Sequence, residues 1–221
     1  LALPNEVMSE LLRRDSFCVG CWLRYEEGSD DDTILFTLAN SDGSPPPERA
    51  TSGFTARLRP SRQQVLVLVG QAASTGPKLI RRSVPFMCAL GLQTAGGVGV
   101  ELGRWHNLLL CFRKRSQLRG GPEAFCILDG RRTQPTACAF PQPHSAPDGA
   151  PSCSLYVGTS HAAYADDSTR DALPAGQAGF QGQVGTVLAF AAARNKNEKH
   201  DMHIPGGAAM ARRQASSITK D

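Results

Sequence analysis

The sequence has no apolar run long enough to cross a bilayer as a helix, which needs about 20 such residues. Ser83–Val100 is interrupted by Pro85, Gln93, Thr94 and four glycines, and Ala172–Ala193 by Pro174, three glutamines and several glycines. Strands separated by turns explain both stretches better than a membrane span does. No basic segment followed by an apolar one opens the chain, so these residues carry no signal peptide. The first residue is Leu1 rather than Met, and the chain is read as an excised segment or a processed product. Neither sign of charge dominates: 24 basic against 20 acidic side chains leave +4. That excess permits weak attraction to acidic surfaces but lacks the one-face clustering of a nucleic-acid binder, so no specific nucleic-acid partner is expected. Nor can a nucleophile–base pair, two carboxylates on one strand or a phosphate-cradling glycine loop be assembled, and no catalytic residue is expected.

What the sequence does contain is punctuation. Its 22 glycines and 15 prolines favour a many-stranded, turn-rich chain over a helical bundle. With 221 residues and 41% hydrophobic side chains it can bury one substantial core. The organising stretch is Gly103–Gly130: two apolar runs, Trp105–Phe112 and Ala124–Leu128, joined by a basic turn containing Gly120, Gly121 and Pro122. The second run ends in Asp129-Gly130, a dipeptide suited to a tight turn, and a further strand-like run follows over Arg131–Ala137. This reads as an antiparallel meander. Further strands are expected over Ser16–Tyr25, Thr33–Ala39, Phe54–Arg59, Gln64–Val69, Lys78–Val84, Phe86–Leu92, Leu155–Gly158 and Gly179–Phe190. Val7, Met8, Leu11 and Leu12 recur at helical spacing after Pro4 and Asn5, predicting one short helix. The organisation expected is a linker or short helix over 1–14, an all-β two-sheet antiparallel sandwich of the jelly-roll type over 15–194, and a flexible tail over 195–221.

These residues resemble a known fold family. Phe17 to Trp22, Trp105-His106, Leu128-Asp129-Gly130, Leu155-Tyr156-Val157-Gly158 and Gly179-Phe180-x-Gly182-x-Val184-Gly185 follow in the order of the concanavalin A-like, laminin-G-type sandwich. Gln183 stands where extracellular laminin-G modules commonly carry cysteine, and Gly182–Phe190 looks more like the sandwich domain of neurobeachin-type BEACH proteins. The resemblance implies a lectin-like interaction module within a large intracellular scaffold of membrane traffic. The acidic strand of glycosidases on this fold and the metal constellation of legume lectins are not found in the sequence.

Each candidate site has a plain alternative. Trp22, Trp105, Asp129, Gly130 and Gly182 are assigned structural roles. Trp105 is expected to anchor the sandwich, and His106 to be hydrogen-bonded at a strand start, with no carboxylate near it in sequence. Cys18-Val19-Gly20-Cys21 is a CxxC within an alternating strand, which points its thiols to opposite faces and argues against metal or redox chemistry. Seven cysteines, five in apolar surroundings, suit a reducing compartment, while Cys138 and Cys153 are positioned to pair in a secreted protein. Asp30-Asp31-Asp32 with Glu26 and Glu27 is a candidate calcium site, otherwise a solvated loop, and no other cofactor is expected. His200 and His203, and Arg212-Arg213-Gln214-Ala215-Ser216, are weak metal and phosphorylation signals in the tail.

Arg113, Lys114, Arg115, Arg119, Arg131 and Arg132 form a prospective basic rim facing acidic lipid or an acidic partner, and Arg57, Arg59 and Arg62 form a second basic set. The function expected is a non-catalytic module, cytoplasmic or membrane-associated, binding a protein segment or a glycan beside neighbouring domains of a longer chain. A secreted lectin domain is the alternative, and a degenerate glycoside hydrolase the third.

Overall fold

A computed structural model of the protein describes residues 2–3, 5–26, 33–39, 53–70, 86–93, 99–116, 118, 120–142, 153–158, 180 and 182–191. Twelve strands are found among them: β1 (Ala2–Leu3), β2 (Ser16–Tyr25), β3 (Thr33–Ala39), β4 (Phe54–Arg59), β5 (Gln64–Val69), β6 (Phe86–Gly91), β7 (Trp105–Arg113), β8 (Glu123–Leu128), β9 (Arg131–Arg132), β10 (Thr136–Ala137), β11 (Ser154–Val157) and β12 (Gly182–Ala191). One helix, α1 (Asn5–Arg13), precedes β2. The strands form two antiparallel sheets, ordered β1-β11-β3-β4-β5-β6 and β10-β8-β7-β2-β12, with β9 beside β8 in the second. Five of these ten pairings join strands that are not consecutive in sequence, among them β7-β2, β2-β12 and β11-β3.

Alternation along the strands decides which side chains meet between the sheets. Phe17, Val19, Cys21 and Leu23 of β2, Leu108, Leu110 and Phe112 of β7, and Ala124, Cys126 and Leu128 of β8 face inward. They meet Phe54, Ala56 and Leu58 of β4 and Val65, Val67 and Val69 of β5 in one core. Aromatic rings join the layers. Phe112 stacks on Phe17 at 5.1 Å between centroids and lies 4.9 Å from Phe54 of the opposite sheet. Met8, Leu11 and Leu12 of α1 belong to the same core, so the helix packs on the sandwich.

The second sheet also carries apolar residues on its outer side. Cys18, Leu109, Cys111, Phe125 and Ile127 form a separate buried cluster there, flanked by Leu188 and Phe190. Register places Cys18 directly opposite Cys111, and the two are joined by a disulfide. The expectation of free thiols at these positions is corrected. Side chains on the same side of paired antiparallel strands approach closely, and the β2–β7 register makes this pair. Cys138 and Cys153 do not pair with each other; both are buried thiols outside any disulfide.

The run Arg131–Ala137 is not one strand. Thr133 to Pro135 interrupt it, since Pro135 offers no N–H and the Thr133 hydroxyl bonds Cys126 N and O of β8 at 3.0 and 3.2 Å. The segments Lys78–Val84 and 195–221 lie outside the described residues. No described helix is long and apolar enough to cross a membrane.

Candidate functional site

The outer face of the second sheet carries two groups of polar and aromatic side chains, one near each end of β7. The first is built by register. Trp22 pairs with Asn107 and Arg24 with Trp105, so that these four outward-pointing residues form a two-by-two patch with each indole opposite a polar side chain. All four are half-buried. Neither tryptophan belongs to a core cluster. His106, the neighbour of Trp105, takes the inward position, and alternation then turns Trp105 out.

The adjoining strand makes room for the rings. The β12–β2 register shifts between Val184 and Val187, so two residues of β12 oppose Trp22 alone, a bulge. Gly185 occupies it. A Cβ there would stand 3.1 Å from Trp22 Cβ and 3.7 Å from the Trp105 ring, which reaches across β2 to this point. Gly182, at φ 150°, is equally confined, because a side chain would run into the Arg24 carbonyl oxygen and the Phe180 ring. Arg24 Nε lies 3.9 Å from Glu26 Oε1, which accepts a hydrogen bond from Gln183 Nε2 at 3.0 Å.

Beneath this patch lies a histidine–carboxylate pair. Asp129 and Gly130, at φ 50° and 80°, form the two-residue turn between β8 and β9, the geometry in which Asp-Gly is favoured. The turn returns Asp129 to the start of β7. His106 Nδ1 lies 2.8 Å from Asp129 Oδ2, and Asn107 N–H donates to Oδ1 at 2.8 Å. His106 Nε2 accepts from Glu101 N–H at 2.9 Å, which assigns the ring proton to Nδ1. The ring is 0% exposed. Burial pushes the Asp129 carboxyl up, but the hydrogen bonds from His106 and Asn107, with the Arg104 charge nearby, outweigh it and hold the group below its ordinary value. The missing sequence neighbour of His106 is thus Asp129, 23 positions on. Counting the hairpin register back from the Asp-Gly turn would have located it.

The second group is basic. Glu123 Oε1 lies 3.0 Å from Arg115, 3.6 Å from Arg113 and 3.8 Å from Arg132. Arg132 also lies over the Phe125 ring, 3.9 Å from its centre, with Arg113 at 5.6 Å. Lys114 turns aside, onto the Phe140 ring at 4.4 Å. Arg131 precedes Arg132 in β9 and so points to the other side of the sheet. Arg119 lies outside the described residues, as do Glu27, Asp30–Asp32, His200, His203 and Arg212–Ser216. Arg57, Arg59 and Arg62 belong to the other sheet and the turn after it.

The remaining thiols are sequestered. Cys21 faces inward while Cys18 faces outward, and burial pushes Cys21 up to about 12. The Cys88 and Cys138 thiols share a hydrogen bond in the core, which drives Cys138 up and Cys88 down. Burial raises Cys126 and Cys153. Among the described residues no group of three or more His, Cys, Asp or Glu is placed to hold a metal.

No family model matches this chain, and no curated protein does. Among solved structures, the chain is similar to the NanB sialidase of Streptococcus pneumoniae at 14% identity and TM-score 0.49, over 90% of this chain and 25% of that one. An alginate lyase in complex with an alginate tetrasaccharide aligns at 10% identity and TM-score 0.31, over 65% of this chain and 59% of the lyase. The chain therefore spans about a quarter of the sialidase chains it matches. Likenesses this distant say nothing about what the outer face binds; that rests on its own residues.

Proposed function

We propose that this chain is a non-catalytic binding module that receives a glycan on the Trp22–Asn107–Arg24–Trp105 patch. The observation that carries the reading is the patch itself, two half-buried indoles alternating with an amide and a guanidinium on one sheet face. Indole faces pack against the apolar C–H face of a sugar ring, and flanking amide and guanidinium groups satisfy its hydroxyls. Placement on paired strands fixes the spacing of the rings before any ligand arrives, which lowers the entropy cost of binding.

The non-catalytic part of the reading is supported by the state of His106. It has the carboxylate partner of a general base, yet both ring nitrogens are committed within the protein and no surface is open to a substrate. The Gly182–Phe190 resemblance supports placing the module in a large intracellular scaffold of membrane traffic. Five free thiols agree with a reducing compartment, whereas the Cys18–Cys111 bond is of the kind kept in oxidising ones. A count of free thiols on protein trapped at lysis with an alkylating reagent decides between them.

A glycan array tests the binding reading directly. We expect hits that Trp105→Ala abolishes while near-ultraviolet and far-ultraviolet circular dichroism keep the folded signature. An array without hits, or hits indifferent to both Trp22→Ala and Trp105→Ala, would sink it.

A further inference from the structure

We propose that the β7–β8 hairpin end of the sandwich docks on an anionic lipid surface. Arg113, Lys114 and Arg115 leave β7 in succession, and Arg132 reaches the same place from β9. Gly121 N–H donates to Ser116 O at 3.2 Å, closing a short loop. Leu118, within that loop, is 100% exposed. Lys114 ties the loop's base to the body, since its ammonium lies 3.4 Å from the Leu12 carbonyl oxygen as well as on Phe140. Against these four cations stand Glu123, whose side chain is 12% exposed, and the exposed Asp15, whose carbonyl accepts the Lys114 N–H. Among the described residues named here, four positive and two negative charges leave an excess of two.

An apolar side chain at the tip with cations behind it is the order in which a bilayer presents its matching layers: a hydrocarbon boundary under phosphates. A soluble sulfated or phosphorylated ligand matches the cations but gains nothing from Leu118. Phe125, the aromatic ring beneath the arginines, is 2% exposed and offers a sugar no stacking surface. The lipid surface is therefore the occupant that uses every feature. This inference does not rest on the glycan reading, because it uses the opposite end of the sheet face.

Co-sedimentation of the 221-residue chain with vesicles tests it, using phosphatidylcholine alone and phosphatidylcholine with about a third phosphatidylserine. The expected result is binding to the phosphatidylserine vesicles only, weakening as salt rises. Arg115→Gln should weaken it about fivefold, the loss of one basic contact to an anionic surface. Leu118→Asp should weaken it about tenfold, through the lost apolar burial. In Leu118→Trp the added indole should shift its emission to the blue on the same vesicles, while Trp22→Ala and Trp105→Ala should bind them normally. All these substituted side chains are at least partly exposed, and circular dichroism checks each variant's fold. Equal sedimentation with both vesicle types, or none with either, overturns the proposal. So does unchanged binding by Leu118→Asp together with full competition by a heparin-derived oligosaccharide, which would make the site one for soluble polyanions. Loss of vesicle binding in Trp105→Ala would also overturn it, by placing the lipid contact at the other end.

Discussion

The two faces of the β10-β8-β7-β2-β12 sheet come from the same strands and obey different rules. Inward, every position from Phe17 to Leu23 and from Leu108 to Phe112 is filled by packing, and what matters is volume. Outward, the same strands offer Trp22, Arg24, Trp105, Asn107 and Arg113, and what matters is which of them register brings together. The inner face could be rebuilt from other hydrophobic residues of similar size. The outer face could not, because its patch depends on Trp22 meeting Asn107 and on a bulge falling opposite Trp22. Stability and recognition are therefore separable at this patch, although the same outer face buries Cys18, Leu109, Cys111, Phe125 and Ile127 farther along.

The sharpest way to break that separation is to damage the interior. Phe112→Ala removes a ring packed against both Phe17 and Phe54 across the two sheets. It should cost about 3–5 kcal/mol in urea unfolding, as such truncations do. If the faces are independent, whatever stays folded keeps its ligand affinity. Gly20→Ala probes the boundary from outside, since a Cβ there would run into the Leu109 side chain and the Leu108 carbonyl oxygen of β7. We expect a loss of about 1–3 kcal/mol from overpacking. A neutral outcome would show that β2 and β7 separate more easily than their register implies.

Much of the inner face was legible in the sequence. Ser16–Tyr25, Thr33–Ala39, Phe54–Arg59 and Gln64–Val69 are strands with the boundaries that alternation and flanking Gly, Pro and Asp suggest, because a period of two with one buried face leaves little choice. The outer face was not legible, since its content depends on pairing between distant segments. Cys18 meets Cys111 across 93 positions, and nothing local to either announces it. The tryptophans illustrate the same gap. Aromatic character made Trp105 an expected anchor of the sandwich, and only the parity of β2 and β7, which places Phe17 and His106 inward, turns Trp22 and Trp105 out together. Gln63 is a further case. Its amide clamps Val100 at 2.7 and 3.0 Å over 37 residues, fixing the segment before β7 with no signal in the sequence.

Between the two faces stands Asp129, exposed at one edge and bonded to buried His106. Asp129→Ala should cost about 1–3 kcal/mol, chiefly by leaving the His106 Nδ1–H without its acceptor in the interior. Its acid behaviour follows from the lowered carboxyl. A group held below its ordinary value, near 3.8, stabilises the fold fully above that value, and the contribution is lost as pH falls through the folded value. Unfolding free energies of Asp129→Asn should therefore fall less steeply than those of the parent below about pH 4. Parallel acid limbs would remove the carboxylate from the account of this turn.

The smallest effect should come from Arg132, where the comparison is most demanding. Its guanidinium covers Phe125 and lies 3.8 Å from Glu123, so deletion looks structural on a contact map. Yet its side chain is 42% exposed, and Arg113 and Arg115 remain on the same carboxylate after it is gone. An exposed ion pair contributes about 0–1 kcal/mol and an exposed cation–π contact about 0.5–1. Glutamine keeps part of the stem that shields the ring. Arg132→Gln should therefore lower the unfolding free energy by less than about 1 kcal/mol, with part of that loss screened away in high salt. Urea titrations at low and high ionic strength measure both parts. A loss of several kcal/mol that salt leaves untouched would mean that Arg132 is a lid on the outer apolar cluster, and that at this end the recognition face and the packing face are the same thing.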